Sequence, residues 1–313
     1  MLDKDIKSLT VDFEDETFVY LHNDQQERVN IVEGYEGDFA EVQLSAKKGL
    51  LFDDTSKQEE PTREEKTTND KNSSNDVNVD LIATLHKSML PAIDHLEQNF
   101  HNLEAYIQPY EAPGGDFLWY KNYDNGKCLV ILGDCTGHGV QGAMIAMSVI
   151  TLLKQCFLRC PNDLLDTVYQ FYDQMADLLE DDNRAGFDSQ MGFLLFDTEN
   201  NSVEYTGNGI NMIHKDSTKK ITVCHTRYIQ LFKRRLSYYK IELFPKDQIL
   251  IYTDGITDQY DSENRRKLGR KNLREMIYNL TQENTLDDFL TKFNNFRGDI
   301  KQMDDQSILV ITV

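Results

Sequence analysis

The pattern of apolar positions divides the chain into a short first segment, a polar interruption and a long folded body. Between Asp53 and Asp80 only Val77 and Val79 are apolar, and most other residues are Glu, Asp, Lys, Asn, Ser or Thr. Such a segment buries too little apolar surface to offset the conformational entropy lost on ordering. The pattern therefore predicts a disordered polar linker over residues 53–80.

The first segment, residues 1–52, contains short runs of alternating apolar and polar residues. This alternation is typical of half-buried strands, and it predicts strands over Thr17–His22, Arg28–Glu33 and Phe39–Leu44. A segment of about fifty residues builds only a marginal core by itself. We therefore expect a small acidic β-rich module whose role is dimerisation or regulation, and we find no chemistry in it.

The body, residues 81–313, begins with a helical pattern and continues with strands in runs and helices in pairs. Ile82, Leu85 and Met89 recur at helical spacing before Pro91 interrupts the pattern. Strands in runs and helices in pairs predict an α+β fold, with two sheets between layers of helices. The predicted strands are Leu103–Gln108, Phe117–Tyr123, Cys128–Leu132, Met191–Asp197, Ser202–Thr206, Ile210–His214, Gln248–Thr253 and Ser307–Val313. The predicted helices are Val140–Phe157, one from Asn162 or Asp163 to about Glu180, Lys271–Leu280 and Thr285–Phe296.

A hairpin joins the second and third of these strands. Its connection, Asp124-Asn125-Gly126-Lys127, contains an Asn-Gly pair. Because Asn-Gly suits a tight turn with two positive φ angles, the sequence predicts a type I′ turn here.

Composition and charge narrow the class of protein. Fifty-three Asp and Glu against 33 Lys and Arg give a net charge of -20, which disfavours a nucleic-acid-binding role because the phosphates would be repelled. The five cysteines form no CxxC pair, so neither a disulfide framework nor a structural zinc site is expected. The longest apolar run, Ala143–Leu153, is too short to span a membrane. We therefore expect a cytoplasmic protein that binds neither nucleic acid nor membrane.

Four loops beside predicted strands contain aspartate, and in three of them glycine stands next to it: Gly114–Asp116, Gly133–Gly139, Tyr252–Gly255 and Met303–Ser307. Glycine allows close approach of backbone and metal because it has no side chain. Oxygen ligands suit hard cations such as Mg²⁺ or Mn²⁺. Four or five converging carboxylates would repel one another without cations, whereas two bridged cations would neutralise them and hold a hydroxide for attack on phosphorus. The alternative is that each Asp-Gly pair is an ordinary turn.

In this order the loops resemble the motifs of the SpoIIE-like branch of the PPM metal-dependent serine/threonine phosphatases. The matching motifs are Gly-Gly-Asp-Phe, Gly-Asp-x-x-Gly-His-Gly before a helix with small residues, Tyr-Thr-Asp-Gly-Ile-Thr-Asp, and Asp-Asp-x-Ser-Ile-Leu-Val. The resemblance covers about Leu81 to Val313. It implies an αββα sandwich, in which two antiparallel sheets are flanked by helices, and a centre of two Mn²⁺ or Mg²⁺ ions.

The resemblance also implies the site residues. Four carboxylates match the positions that bind the metals and catalyse hydrolysis: Asp116, Asp134, Asp254 and Asp304. The carbonyl of Cys135 would complete one metal site. Asp305 is the alternative ligand to Asp304, which is favoured because the first aspartate of the pair aligns with the ligand of the family.

Members of this branch commonly dephosphorylate a phosphoserine or phosphothreonine on a STAS-type anti-sigma-factor antagonist. The antagonist then captures its partner, a partner-switching step in bacterial stress, surface or developmental signalling. The resemblance implies that this chain is a protein serine/threonine phosphatase with such a partner. Its first segment would act as a dimeriser, giving a homodimer, or as a sensor input.

The chain departs from the pattern of the family on the substrate side. Thr136 stands where eukaryotic-type members have a histidine proposed as general acid. We expect the nearby His138 to shape the turn or cap the following helix, and proton transfer by His138 is the alternative. Gly207–Ile210 replaces the Asn-Ala-Gly-His stretch of the family, and the role of Gly186–Asp188 is open. These differences concern substrate contacts and a third metal rather than the two-metal centre.

Other clusters admit other interpretations. Six basic residues after the third aspartate loop fit a docking site for an acidic partner and a solvated helix start equally well: Arg265, Arg266, Lys267, Arg270, Lys271 and Arg274. The rival hypothesis is a non-catalytic module that binds a phosphorylated partner through this cluster. Gly114–Phe117 is similar to part of the diguanylate cyclase signature, but the Glu is missing. Lys233–Arg235 with Tyr238 and Tyr239 is expected to form a surface strand or loop.

Overall fold

Two antiparallel β-sheets stack face to face, with a pair of helices on the outer face of each. The computed structural model describes residues 8–12, 17–22, 25–29, 72–177, 189–226, 236–263, 265–280 and 285–313. The strands are β1 (Ser8–Asp12), β2 (Thr17–His22), β3 (Gln25–Val29), β4 (Asn102–Gln108), β5 (Phe117–Asn122), β6 (Lys127–Cys135), β7 (Ser189–Asp197), β8 (Ser202–Asn208), β9 (Asn211–Lys215), β10 (Ile221–Cys224), β11 (Ser237–Glu242), β12 (Gln248–Tyr252) and β13 (Gln306–Thr312). The helices are α1 (Asn72–Met89), α2 (Asp94–Glu97), α3 (Gly139–Cys156), α4 (Leu164–Asp177), α5 (Asp254–Asp258), α6 (Gly269–Tyr278) and α7 (Thr285–Arg297). This architecture confirms the predicted αββα sandwich.

The first sheet has the strand order β3-β2-β1-β10-β9-β12-β13-β4, and the second has the order β11-β8-β7-β6-β5. Five strands of the first sheet belong to the body. The other three come from the first segment and extend the sheet, because β1 pairs with β10 and places Val11 opposite Val223.

Uninterrupted apolar runs form the central strands because both faces of each strand are covered. In β6, Leu129 and Ile131 pack toward the helices, whereas Val130 and Leu132 pack between the two sheets. This division follows from the two-residue period of a strand. β12 and β13 divide their apolar side chains in the same way, so these three strands contribute to both the layer between the sheets and the layers under the helices.

The helices complete the outer layers. α3 and α4 cover the second sheet, where Phe157 and Phe171 pack against Phe193. α6 and α7 cover the first sheet, and Phe289 stacks on Phe293 there. Among the described residues, α3 is the one helix long and apolar enough to cross a bilayer by length and composition, but half of it is buried in the sandwich. Its apolar character is accounted for by packing.

The structure confirms the predicted strands and helices of the body within a few residues, and it adds α2, β10 and α5, which the pattern did not predict. Tyr238 and Tyr239, expected in a surface strand or loop, lie on the strand β11, but Tyr239 is buried rather than at the surface. The prediction of a type I′ turn is wrong, because only Gly126 has a positive φ in the loop between Asn122 and Lys127. A type I′ turn requires two such residues.

Before residue 81 the structure differs from the prediction in where a helix and a strand begin. α1 begins at Asn72, so residues 72–80 of the predicted linker are helical, while residues 53–71 lie outside the described residues. The strand predicted over Thr17–His22 is present as β2. The strand predicted over Arg28–Glu33 shares with β3 only the last two residues of β3, Arg28 and Val29. The strand predicted over Phe39–Leu44 lies outside the described residues.

A buried lysine anchors the end of α6 to the first sheet. Lys215, 2% exposed, donates hydrogen bonds to the carbonyl oxygens of Ile277 at 3.1 Å and Leu280 at 2.9 Å. Burial, with the charges of Lys219 and Lys292, lowers the pKa of Lys215 to about 8. The ammonium group therefore satisfies two helix-end carbonyls at the expense of its own hydration.

We predict that Lys215→Met lowers the free energy of unfolding by about 1–3 kcal/mol, because two carbonyl oxygens lose their donor. The exposed control Lys154→Met should change it by less than about 0.5 kcal/mol. The unfolded lysine keeps its proton up to a higher pH than the folded one. The advantage of wild type over Lys215→Met should therefore grow as the pH rises from about 8 toward 10. Urea unfolding at several pH values measures this difference, and an advantage that shrinks over that range would contradict the assignment.

Candidate metal centre

The topology brings the four aspartate loops to one end of the sandwich. Asp116 precedes β5 and Asp134 lies near the end of β6, and these strands are antiparallel, with Phe117 opposite Gly133. In the other sheet Asp254 follows β12 and Asp304 precedes β13, which are again antiparallel. Because the start of one antiparallel strand meets the end of its neighbour, each sheet presents two carboxylates at the same end.

Asp116 is buried, and hydroxyl groups from the opposite sheet hold one of its oxygens. Oδ2 accepts hydrogen bonds from Thr253 Oγ1 at 2.8 Å and Ser307 Oγ at 2.7 Å. Oδ1 is also buried but has no hydrogen-bond partner. A buried acceptor without a partner is costly, so this oxygen is available to a ligand that carries positive charge.

Asp305 holds the loop before Asp116 in place. Its Oδ1 accepts a hydrogen bond from the backbone N–H of Tyr110 at 2.6 Å, and its Oδ2 accepts one from Gly115 at 2.6 Å and one from Asp116 at 3.2 Å. Three backbone donors thus occupy the buried Asp305 carboxylate. This geometry makes Asp305 a clamp between β13 and the first aspartate loop.

The neighbouring Asp304 differs from Asp305 in exposure and in partners. Asp304 is exposed as a residue, and its Oδ1 accepts the N–H of Asp305 at 2.8 Å. Partial loss of hydration around the carboxyl group, followed by the charges of Asp254 and Asp305, raises its pKa. Among the described residues, fewer hydrogen bonds therefore occupy the carboxylate of Asp304 than that of Asp305.

Burial and mutual repulsion raise the pKa values of the innermost carboxyl groups. The pKa of Asp116 rises to about 8, mainly through burial, and the Ser307 and Thr253 hydroxyls oppose this rise. Burial, followed by repulsion from the other four aspartates, raises the pKa of Asp134 well above its ordinary value. Like charges held this close destabilise the ionised state, and cations among them would reverse the effect.

Two glycines let the backbone of the loops approach the centre. A Cβ atom at Gly115 would stand 2.5 Å from the carbonyl oxygen of Cys135 and 2.9 Å from that of Gly137. A Cβ atom at Gly255 would collide with the carbonyl oxygen of Asp305. Only glycine therefore fits at these positions, and the Cys135 carbonyl lies beside the loop that carries Asp116.

The donor set fits hard divalent cations. It consists of oxygen atoms, it includes the unpartnered Oδ1 of Asp116, and it concentrates negative charge. Among the described residues, no group of three or more His, Cys, Asp or Glu side chains is arranged to hold an ion as it stands. Mg²⁺ needs only one or two protein carboxylates because it keeps several of its waters. The residues present therefore suit divalent cations that would keep part of their water shell.

His138 lies at the rim of the centre rather than capping α3. It precedes α3, its side chain makes no capping hydrogen bond, and its Nδ1 lies 2.9 Å from Glu111 Oε2. The ring of Tyr110 contacts it edge-on. The charge of His138 acts to lower the pKa of Asp304, so the pair of Glu111 and His138 contributes to the field at the centre.

Sequence reasoning missed three polar residues that support the centre. Thr253 and Ser307 stood inside the quoted motifs, but only their contacts with Asp116 reveal their role. Gln190 Nε2 donates to Asp254 Oδ2 at 2.9 Å, and no sequence signal singled it out. Asp188 and Lys233–Arg235 lie outside the described residues.

We predict that Asp305→Ala, measured by urea unfolding in chelator, lowers the free energy of unfolding by about 2–4 kcal/mol, because three buried backbone N–H groups lose their acceptor. Asp304→Ala should change it by less than about 1 kcal/mol, since this side chain is exposed and repelled by its neighbours. Equal losses of unfolding free energy in the two variants would contradict the assignment of Asp305, and not Asp304, as the carboxylate that holds the loop before Asp116.

Comparison with known proteins agrees with this architecture. The sequence profile described as Stage II sporulation protein E (SpoIIE) matches residues 124–313. Among proteins of curated function, no sequence matches the chain.

Solved structures with the same fold have low sequence identity to the chain. The SiaA-PP2C domain of Pseudomonas aeruginosa superposes with a TM-score of 0.66 at 19% identity, over 77% of this chain and 98% of that one. The PP2C phosphatase domain with a regulatory fragment of SpoIIE from Bacillus subtilis gives 0.57 at 14% identity, over 67% of this chain and 62% of that one. The RsbU and RsbW domains of a Mycobacterium tuberculosis protein give 0.56 at 14% identity, over 67% and 59%. With the profile match over more than half its length, the chain belongs to the SpoIIE family, within the SpoIIE-like branch of the PPM phosphatases.

Proposed function

We propose that the chain is a metal-dependent protein serine/threonine phosphatase that hydrolyses phosphoserine or phosphothreonine on a partner protein. The observation that carries this proposal is the buried, unpartnered Oδ1 of Asp116 among carboxylates whose repulsion bound cations would relieve. Membership of a phosphatase family supports the same reaction.

Asp116, Asp134, Asp254 and Asp304, with the carbonyl oxygen of Cys135, would hold two Mn²⁺ or Mg²⁺ ions. Asp305 is not proposed as a ligand, because three backbone N–H groups already occupy its oxygens. When bound, the ions supply a nucleophilic water and neutralise the charge that develops on the phosphoryl oxygens.

The other residues of the chain fix the carboxylates and keep their free oxygens directed at the centre. Thr253 and Ser307 hold Oδ2 of Asp116, which leaves Oδ1 free for the centre. Gln190 occupies one oxygen of Asp254 in the same way. Because hydrogen bonds fix these groups before a substrate arrives, little reorganisation is needed during the reaction.

For the partner we propose a STAS-type anti-sigma-factor antagonist, in cytoplasmic partner-switching signalling of a bacterium. Support comes from the resemblance stated above and from the fold shared with the RsbU and RsbW domains of the Mycobacterium protein. We further propose that the first segment, whose strands extend the first sheet, serves in regulation or in forming a homodimer.

The direct test is phosphate release from a small aryl phosphate and from a phosphoserine peptide, with Mn²⁺, with Mg²⁺ and with chelator. Turnover should need the metal, and Asp134→Asn should lower it at least about a hundredfold. Replacing a residue that only hydrogen-bonds a metal ligand already lowers metal affinity or activity about 10–100-fold, and Asp134 is proposed as a ligand itself. Asp124→Asn is the matched control, since Asp124 is exposed in the loop at the opposite end of the same hairpin. Absence of turnover in folded, metal-loaded protein would favour the non-catalytic binding module instead.

Metal binding is also testable without turnover. Saturating Mn²⁺ at about 100 times its dissociation constant adds about 2.7 kcal/mol of stability. In a domain of this size that corresponds to a rise in Tm of roughly 5–10 °C. The rise should vanish in Asp134→Asn and persist in Asp124→Asn, as measured by differential scanning calorimetry. An equal rise in both variants would place the ions elsewhere.

A further inference from the structure

Two large apolar side chains stand exposed beside the carboxylate centre. Tyr110 is 44% exposed and Met303 is 53% exposed. Met303 directly precedes Asp304, and Tyr110 lies in the segment between β4 and Asp116. Exposed apolar side chains that are scattered singly need no explanation, whereas two of them beside a polar centre mark a candidate contact surface.

Hydrogen bonds hold the two backbone segments side by side. Gln302 Nε2 donates to the carbonyl oxygen of Gln108 at 2.7 Å, and the N–H of Tyr110 donates to Asp305 Oδ1 at 2.6 Å. The segment that carries Met303 is thus tied to the segment that carries Tyr110 on both sides of Met303. We call Tyr110 and Met303 the apolar rim.

The ring of Tyr110 is held in place before any partner binds. It lies edge-on to the ring of His138, with the ring centroids 5.3 Å apart and the planes at 89°. His138 is fixed in turn by Glu111, whose Oε2 lies 2.9 Å from the histidine Nδ1. An aromatic side chain held in this way offers contact area and loses little conformational freedom on binding. Met303 complements it, because a methionine side chain adapts its shape to a partner.

The packing of the sandwich does not account for the apolar rim. Neither Tyr110 nor Met303 belongs to any of the three apolar clusters that the described part of the chain forms. Tyrosine and methionine are instead enriched where proteins contact one another. The apolar rim therefore has the composition of a contact surface and a position next to Asp304.

We propose that the apolar rim binds an apolar side chain of the phosphorylated protein partner, at a residue adjacent to the phosphorylated one. The identity of the occupant as substrate rests on the proposed function. Because phosphoserine and phosphothreonine have short side chains, a phosphate that enters the centre brings the neighbouring backbone of the partner against the rim. Charge favours an apolar neighbour over an acidic one. The chain has a net charge of -20, and the carboxylates of Asp304 and Glu111 stand next to the two rim residues, so acidic neighbours would be repelled.

The test is direct binding to the full chain in the presence of Mn²⁺, with probes that cannot be hydrolysed. The first probe is a fluorescein-labelled peptide that carries a phosphonate analogue of phosphoserine between two leucines. The second probe has serine in place of both leucines. Fluorescence anisotropy should give tighter binding of the leucine probe. Tyr110→Ser/Met303→Ser should weaken binding of the leucine probe about tenfold and that of the serine probe less than about twofold, because only the leucines lose apolar contacts.

The matched control is Leu158→Ser/Tyr278→Ser, which also removes one aliphatic and one aromatic side chain that are exposed. Leu158 follows the far end of α3, whose first residue is next to His138. Tyr278 ends α6, which Lys215 anchors at the end of the first sheet opposite to Asp254. This variant should change the affinity for the leucine probe less than about twofold.

Circular dichroism and Tm show whether each variant is folded. If Tyr110 proves necessary for folding, the single variant Met303→Ser replaces the double one, and it should weaken binding of the leucine probe about threefold. The preference for leucine over serine should fall by the same factor, which a merely structural role of Met303 would not cause.

Three results would overturn the proposal: equal affinity for the two probes, equal effects of the rim and control variants, or no binding of the leucine probe by wild type. Tighter binding of a third probe with glutamate in place of both leucines would also overturn it. Failure of the proposed function gives a different result. Absence of metal-dependent phosphate release, together with a leucine preference that the rim variant removes, would contradict the proposed reaction and leave the apolar rim as a binding surface.

Discussion

The hydrogen bonds accepted by Asp305 are the contacts on which the geometry of the centre depends. Its carboxylate comes from the start of β13 and accepts backbone N–H groups of the loop that leads into β5, so it ties one sheet to the other. Without it the Gly115–Asp116 loop would lose its buried acceptor, and Asp116 would not be fixed beside Thr253 and Ser307. The position of Asp116 is thus set by Asp305, a neighbouring carboxylate that is not itself proposed to bind metal.

The folded state is stabilised by apolar packing between the sheets and helices and not by the carboxylate centre. Repulsion among buried carboxylates and the unpartnered Oδ1 of Asp116 destabilise the metal-free state. The central strands oppose this cost, since both faces of β6, β12 and β13 are covered by apolar side chains. These three strands carry Asp134, Asp254 and Asp304 at their ends, so well-packed elements position three of the groups that repel one another, whereas Asp116 precedes the edge strand β5.

The sequence reveals the central strands and the aspartate loops because their signals are local. Runs such as Leu129–Leu132 are apolar throughout, and Asp-Gly motifs stand directly after them. The same local reasoning fails at the sheet margins, where β10 has four residues and β11 alternates only weakly. Local pattern alone also does not separate Asp304 from Asp305, and only the resemblance to the family favoured Asp304, because the backbone donors around Asp305 are known only from the structure. Gln190 reaches Asp254 from a strand 64 positions away, so no spacing rule could have found it.

The aspartates of the centre are held by elements that packing already fixes, namely β5 and β6 in one sheet and β12 and β13 in the other. Because the two sheets share one apolar layer, the carboxylates have little freedom to move apart, and their repulsion is retained in the folded state. Cations that bind among them would relieve that repulsion, so part of the free energy of cation binding would come from packing elsewhere in the sandwich.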